Sequence, residues 1–209
     1  MATDWVANSC GGVRWRTLSS GLIEIEGDGV PTVAPGSPRF RNLMQTWTNW
    51  SGLFRSAASA TGLPVSWLLA FATVETGHLS ANPVAQARAV SPVGALGVMQ
   101  LLPSAFPQLN RDSLLEPAFN IAHGADFIRT LCARRGGCEL PVLGAEYNAG
   151  HLGCDASRGQ FHFFADADYP TQVVTFSNAA LTSLDLGSSI WPWIGAGVLL
   201  GAIAATAAL

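Results

Sequence analysis

Apolar and charged positions first alternate at Leu22-Ile23-Glu24-Ile25-Glu26, just before the turn residues Gly27-Asp28-Gly29. A period of two predicts a half-exposed strand running into a turn. Pro31, Pro35, Gly36 and Pro38 then break the pattern, so residues 1–37 read as an irregular, partly β segment. From Arg39 to Ala60 the period changes: Leu43, Trp47, Trp50, Phe54 and Ala57 recur at three- and four-residue steps, which predicts a helix with one apolar face. Aromatics at that spacing belong to a core, so Trp47 and Trp50 are read as packing residues in preference to a sugar-stacking platform. Thr61-Gly62-Leu63-Pro64 ends this helix and opens a second, which runs to about Thr76 and stops at Gly77.

Further along, Pro103-Ser104-Ala105-Phe106 begins a short helix. A longer one opens at Leu114-Leu115-Glu116-Pro117, buries Phe119, Ile121, Ala122, Ala125, Phe127, Ile128 and Leu131, and ends at Gly136-Gly137. Two more helices are predicted, from Pro141 to Ala149 before Gly150 and from Pro170 to Leu184. The intervening stretch Gly153 to Asp168 carries Asp155, Arg158, Asp166 and Asp168 and is expected on the surface. Residues 38–186 therefore form one mainly α domain, in a chain of a length that buries one ordinary core.

The tail differs in kind. Ile190–Leu209 is 20 residues without a charge, about the length that spans a bilayer's hydrocarbon. Trp191 and Trp193 stand at its start, as interfacial aromatics do, and Gly197 and Gly201 form a Gly-x-x-x-Gly spacing suited to homo-oligomeric helix pairing. Residues 187–209 are expected to be a transmembrane helix or a helix embedded in a hydrophobic assembly partner. At the other end, Asp4, Arg14 and Arg16 interrupt any signal-peptide core.

Composition adds little to this picture. Hydrophobic residues are 49% and charged ones 12%, with the tail inflating the first figure, and the net charge is -3. All 11 basic residues are arginines, scattered along the chain without clustering, which argues against nucleic acid as a partner. Four cysteines, Cys10, Cys132, Cys138 and Cys154, allow three complete pairings. A disulfide from Cys132 to Cys138 across a helix end is the favoured use, with free thiols the alternative. Zinc is the weaker reading, since no Cys-x-x-Cys occurs and His123 and His151 are not at ligand spacing. No metal or other cofactor is called for.

Candidate chemistry centres on Val74–Gln100. Glu75 follows the apolar run Leu68-Leu69-Ala70-Phe71-Ala72, where desolvation raises a carboxylate's pKa toward the range of a general acid. At a helix C-terminus the dipole pushes the same way. No Asp or Glu lies between Glu75 and Gln100, so the second carboxylate of an ordinary glycosidase is not close in sequence.

Four pieces in order then carry a resemblance: Glu75-Thr76-Gly77; Ser91-Pro92-Val93-Gly94-Ala95-Leu96-Gly97-Val98-Met99-Gln100; Glu116-Pro117-Ala118-Phe119-Asn120-Ile121-Ala122-His123-Gly124; and Glu146-Tyr147-Asn148-Ala149-Gly150. Over about residues 40–180 the chain resembles the soluble lytic transglycosylase (SLT) domain of the goose-lysozyme-like superfamily. The resemblance implies a lysozyme-like helical domain that cleaves the β-1,4 bond between N-acetylmuramic acid and N-acetylglucosamine in peptidoglycan, leaving a 1,6-anhydro end. It implies Glu75 as the lone catalytic acid and base. It further implies Ser91, Met99, Gln100, Tyr147 and Asn148 as substrate-binding residues, with the Tyr147 hydroxyl near Glu75 and Ser91 hydrogen-bonded nearby. Asn120 and Gly124 take structural roles under the cleft. His78 reads as a solvated loop residue and Glu146 as exposed or salt-bridged. There are two departures: the segment between Glu75 and Ser91 is several residues longer than is usual, and Thr76 replaces the common serine.

The sequence expectation is thus a membrane-associated peptidoglycan lytic transglycosylase of a virion or the bacterial envelope, opening the cell wall locally during phage entry. The alternatives are a muramidase of a secretion or conjugation system and an assembly protein whose module binds glycan without turnover. Glu75, Gln100 and Tyr147 are expected to converge on one groove.

Overall fold

The computed structural model describes residues 2–166, 168–184 and 186. Two short antiparallel strands, β1 (Trp15–Thr17) and β2 (Ile23–Ile25), precede six helices. These are α1 (Pro38–Thr61), α2 (Val65–Thr76), α3 (Pro83–Ala87), α4 (Pro117–Arg135), α5 (Leu140–Ala149) and α6 (Tyr169–Ser183). The architecture is mainly α and lysozyme-like, with the small β pair at its N-terminal side.

The axis of the fold is α2. From Ser66 to Thr73 every side chain is buried, and a helix apolar all round has to be covered all round. Helix α6 supplies the largest cover and α1 the next, while α4 packs on α1 and α5 on α6. The expected face of α1 does the packing: Leu43 and Phe54 are fully buried, and Trp47 and Trp50 lie partly buried against the same core. Ser37 caps α1 by accepting from the Phe40 N–H at 3.1 Å, and Pro38 occupies its first turn.

Gly77 does not end α2 by turning left-handed, as a stop residue would. Its φ is −58°, and the chain continues into a 3₁₀ turn, Gly77–Leu79. A side chain at Gly77 would meet Thr73 Cγ2 at 2.9 Å, so close packing explains the glycine.

The N-terminal segment enters the helical core. Trp15, Ile23, Ile25 and Val33 are buried in one cluster with α2 and α6. Asn178 of α6 accepts from the Ile23 N–H at 2.8 Å and donates to the Ile23 and Pro31 carbonyls at 2.8 and 2.9 Å.

The stretch 153–168, expected on the surface, is corrected by the structure. Its charged residues are exposed or partly so, but Phe161, Phe163 and Ala165 are buried. Both phenylalanine rings meet Trp15 edge-on, with centroids at 5.6 and 6.0 Å. Alternate positions turned inward toward an aromatic of the N-terminal segment are what the charge-based reading overlooked.

Two disulfides form, Cys132–Cys138 as favoured from spacing and Cys10–Cys154, which leaves no cysteine as a thiolate for zinc. Among the described residues no helix is long and apolar enough to cross a membrane. The expected tail helix Ile190–Leu209, with Gly197 and Gly201, lies outside the described residues.

Candidate functional site

Glu75 sits in the last turn of α2, half-buried at the floor of a cleft of about 350 Å³. Ser91, Gln100, Tyr147 and Asn148 line the same cleft, and Leu101, Leu102, Phe106 and Phe127 form much of its apolar wall. Residues brought together from α2, the Gly-rich turn and α5 thus face one groove.

The electrostatics of Glu75 follow from that placement. Burial pushes its pKa up to about 7, the nearby Asp166 carboxylate pushes the same way, and a hydrogen bond from Tyr169 pulls it down. The Tyr169 hydroxyl donates to Glu75 Oε1 at 2.5 Å. Tyr169 opens α6, the helix that packs most closely on α2, so the bond spans the two central helices.

Sequence reasoning missed Tyr169. It placed the Tyr147 hydroxyl near Glu75; that O–H feels the Glu75 charge but donates its hydrogen to the Met99 carbonyl at 2.6 Å. The Tyr147 ring packs 4.7 Å from Phe71 and 5.4 Å from Phe127, which fixes it as a wall of the cleft. Burial first, then the Glu75 charge, raises both tyrosine pKa values well above the ordinary value, so both hydroxyls stay protonated donors. A signal existed, in that Tyr169-Pro170 stands at the predicted start of a helix, but nothing in the chain order links it to Glu75.

The turn opposite Glu75 is built around Gly97. Its φ of +76° is left-handed, and a side chain there would meet Asn120 Nδ2 and the Leu114 carbonyl at 2.4 Å. Asn120, wholly buried, fills that space: Nδ2 donates to the carbonyls of Leu96 and Leu114 at 2.9 Å each, and Oδ1 accepts from the Met99 N–H at 2.7 Å. Gly124 lets Met99 settle, since a side chain there would lie 2.5 Å from its Sδ.

Met99 was expected in the cleft and lies beneath it instead, fully buried. Its backbone carries the positional information, as the partner of both Asn120 and Tyr147. Gln100, by contrast, faces the cleft from a left-handed backbone with φ 47°. Its Nε2 donates to the carbonyls of Gly97 at 2.9 Å and Ala89 at 3.3 Å, which leaves Oε1 to accept from a ligand.

Ser91 closes its own turn, accepting from the Ala95 N–H at 3.0 Å, and makes no hydrogen bond to Glu75. Asn148 lines the cleft while its Oδ1 accepts from the Asp166 N–H at 2.9 Å. His78 is exposed. Glu146 is buried and salt-bridged to Arg135 at 2.6 Å.

The two sequence departures have a common structural account. The longer segment after Glu75 folds into α3, capped by Asn82, and buries Gln86 completely. Gln86 Nε2 donates to Thr46 Oγ1 at 3.1 Å and Thr76 Oγ1 at 3.3 Å, and Oε1 accepts from Trp50 Nε1 at 2.8 Å. Thr76 in turn donates to the Val98 carbonyl at 2.7 Å. The hydroxyl beside Glu75 therefore ties the end of α2 both to the inserted helix and to the Gly-rich turn.

Residues 52–168 match the transglycosylase SLT domain family. Among solved structures, an inactive mutant of the lytic transglycosylase Slt from Pseudomonas aeruginosa shares the fold, with a TM-score of 0.54 at 22% identity. The alignment covers 69% of this chain and 26% of that one, so the chain matches about a quarter of that protein's length. No curated protein matches the sequence.

Proposed function

Since this chain belongs to the transglycosylase SLT domain family, we propose that it is a peptidoglycan lytic transglycosylase in which Glu75 serves as both acid and base. The observation that carries the reading is Glu75 itself: a carboxyl held near a pKa of 7 by burial, on the floor of a cleft, with a tyrosine hydroxyl fixing one oxygen. A pKa close to the working pH suits a group that must give up a proton and then take one.

The chemistry runs in two proton transfers. Protonated Glu75 gives its proton to the glycosidic oxygen between N-acetylmuramic acid and N-acetylglucosamine as the anomeric C–O bond breaks. The muramyl C6 hydroxyl attacks the anomeric carbon, and its proton passes to the Glu75 carboxylate. The products are a free N-acetylglucosamine 4-hydroxyl and a 1,6-anhydro-muramyl end, and Glu75 is again protonated. During the second transfer Tyr169 stabilises the carboxylate by its hydrogen bond. Gln100 accepts from an N-acetyl N–H or sugar hydroxyl through Oε1, Ser91 and Asn148 line the glycan path, and Tyr147 and Phe127 offer apolar faces for sugar rings.

For the setting we propose local opening of the cell wall at the bacterial envelope, as phage entry requires. Two disulfides support a chain that matures outside a reducing cytoplasm.

Muropeptide analysis after incubation with purified peptidoglycan tests the reading. Anhydro-muramyl products from the wild type, and none from Glu75→Gln, are expected. Reducing-end products would instead make the protein a hydrolase, and binding without products would make it a glycan-binding module.

A further inference from the structure

The inserted helix α3 sends one polar side chain into the core. Gln86 has no solvent exposure, and all four of its hydrogen-bonding positions are filled. Its Oε1 accepts from the Trp50 indole N–H at 2.8 Å and from Asn49 Nδ2 at 3.2 Å. Because an indole nitrogen can only donate, the sense of the amide is fixed, and Nε2 must face the hydroxyls of Thr46 and Thr76. The Thr76 oxygen thus receives a hydrogen from Gln86 and has one of its own to give.

Two carbonyls lie in reach of that hydrogen. Within a helix a threonine hydroxyl ordinarily bonds back to the carbonyl four residues earlier, as Thr73 does to Leu69 at 2.7 Å. Thr76 departs from this: the Ala72 carbonyl is 3.3 Å away, whereas the Val98 carbonyl, in the Gly-rich turn, is at 2.7 Å. A hydrogen donated by Gln86 polarises the hydroxyl that receives it, which strengthens the bond that hydroxyl makes in turn. The turn is pinned from two other sides, by Asn120 of α4 on the Met99 N–H and by the Tyr147 hydroxyl of α5 on the Met99 carbonyl. The Thr76 bond is the pin that comes from α2, the helix that carries Glu75 immediately before Thr76. Beyond α3 the same inserted segment meets the turn again, since the Ala89 carbonyl accepts from the Gly97 N–H at 2.9 Å and from Gln100 Nε2 at 3.3 Å.

We propose that Gln86 is a positioning residue: by holding the Thr76 hydroxyl toward Val98, it sets the spacing between Glu75 and Gln100 across the cleft. Its catalytic consequence rests on the transglycosylase reading of the site, whereas the positioning stands without it. With Gln86 removed, the Thr76 hydroxyl is free to turn back to Ala72, and the turn loses its tie to α2.

The test is a double-mutant cycle between Gln86→Met and Thr76→Val, each close in volume to the residue it replaces. It is followed by NMR on the Gln100 side-chain amide, with Gln100→Glu identifying the resonances, and by turnover of purified peptidoglycan well below each variant's Tm. Both single variants should shift the Gln100 amide and lower kcat by roughly tenfold to a hundredfold with KM little changed, the cost of a misplacement of about 1 Å. The double variant should add nothing beyond the larger single effect, because both changes remove the same tie. Thr76→Ser keeps the hydroxyl and should restore wild-type values. Asn49→Ala takes a different partner from the Gln86 amide, and should lower Tm while leaving the Gln100 resonances and kcat in place. Additive effects in the double variant, or an equal shift in Asn49→Ala, overturn the proposal. Where Gln86→Met folds poorly, Thr76→Val still decides: a Gln100 amide left in place there shows that the tie positions nothing. A wild type that leaves peptidoglycan intact would sink the transglycosylase reading, while the NMR shifts would still decide the positioning.

Discussion

At the scale of single residues, Glu75 is held against its own preference. Its ordinary pKa of 4.5 is the value an unfolded chain would show, whereas in the folded protein burial raises it to about 7. Between those values the folded state keeps a proton that the unfolded state releases. The stability associated with this group is therefore fully present below pH 4.5, is lost as pH rises through about 7, and then stays lost. The interval corresponds to about 3 kcal/mol. Glu75→Gln removes the titration without removing the polar shape, so urea unfolding at pH 8 should find it more stable than the wild type by up to that amount. At pH 4 the two should differ little. Equal stability differences at both pH values would show that Glu75 is not held protonated by the fold. A side chain that weakens the molecule at the pH where it is poised to act fits a site shaped for chemistry more than for packing.

Among the elements, the Gly-rich turn shows most clearly how the site is positioned. Gly94 and Gly97 both adopt left-handed backbone, with φ of +86° and +76°. Their surroundings differ, however. A side chain at Gly94 would meet nothing within 4 Å, whereas one at Gly97 would fall on Asn120 and on the Leu114 carbonyl. Gly94→Ala should then cost only the left-handed penalty, about 1–2 kcal/mol. Gly97→Ala adds a clash with a fully buried side chain that makes three hydrogen bonds, and should cost about 4 kcal/mol or more. Because Asn120 also holds the Met99 N–H, and the Met99 carbonyl holds Tyr147, Gly97→Ala should disturb the cleft as well as the stability. Thermal unfolding, with Tyr147 ring resonances as a local reporter, would separate the two variants. Similar losses from both would mean that the close approach of Asn120 does not matter.

For the molecule as a whole, what the sequence disclosed follows from which interactions are local. Amphipathic periodicity placed α1 and α4, capping and glycine signals bounded α5, and the motifs marked Glu75, Gln100, Tyr147 and Asn148, all of which line the cleft. The bond from Tyr169 to Glu75, the inward turn of Phe161 and Phe163, and the Cys10–Cys154 pairing depend on contacts between distant segments, which no local period encodes. The last of these has a thermodynamic consequence. Cys10 lies outside the family match and Cys154 within it, and the two are 144 positions apart, whereas Cys132 and Cys138 are 6 apart. If a cross-link acts by restricting the unfolded chain, the long loop contributes about 5 kcal/mol and the short one about 2. In the folded state the N-terminal segment is also held by Asn178 and by Trp15 against Phe161 and Phe163. Replacing Cys10 and Cys154 with serine should therefore lower Tm well below that of the corresponding Cys132 and Cys138 double variant. The proposed activity on peptidoglycan should be no lower at 25 °C than in the parent protein, since the residues that line the cleft keep their noncovalent supports. Calorimetry on the two double variants decides the matter: equal decreases in Tm would mean that the long tether acts through the native contacts it enforces and not through the entropy of the unfolded chain.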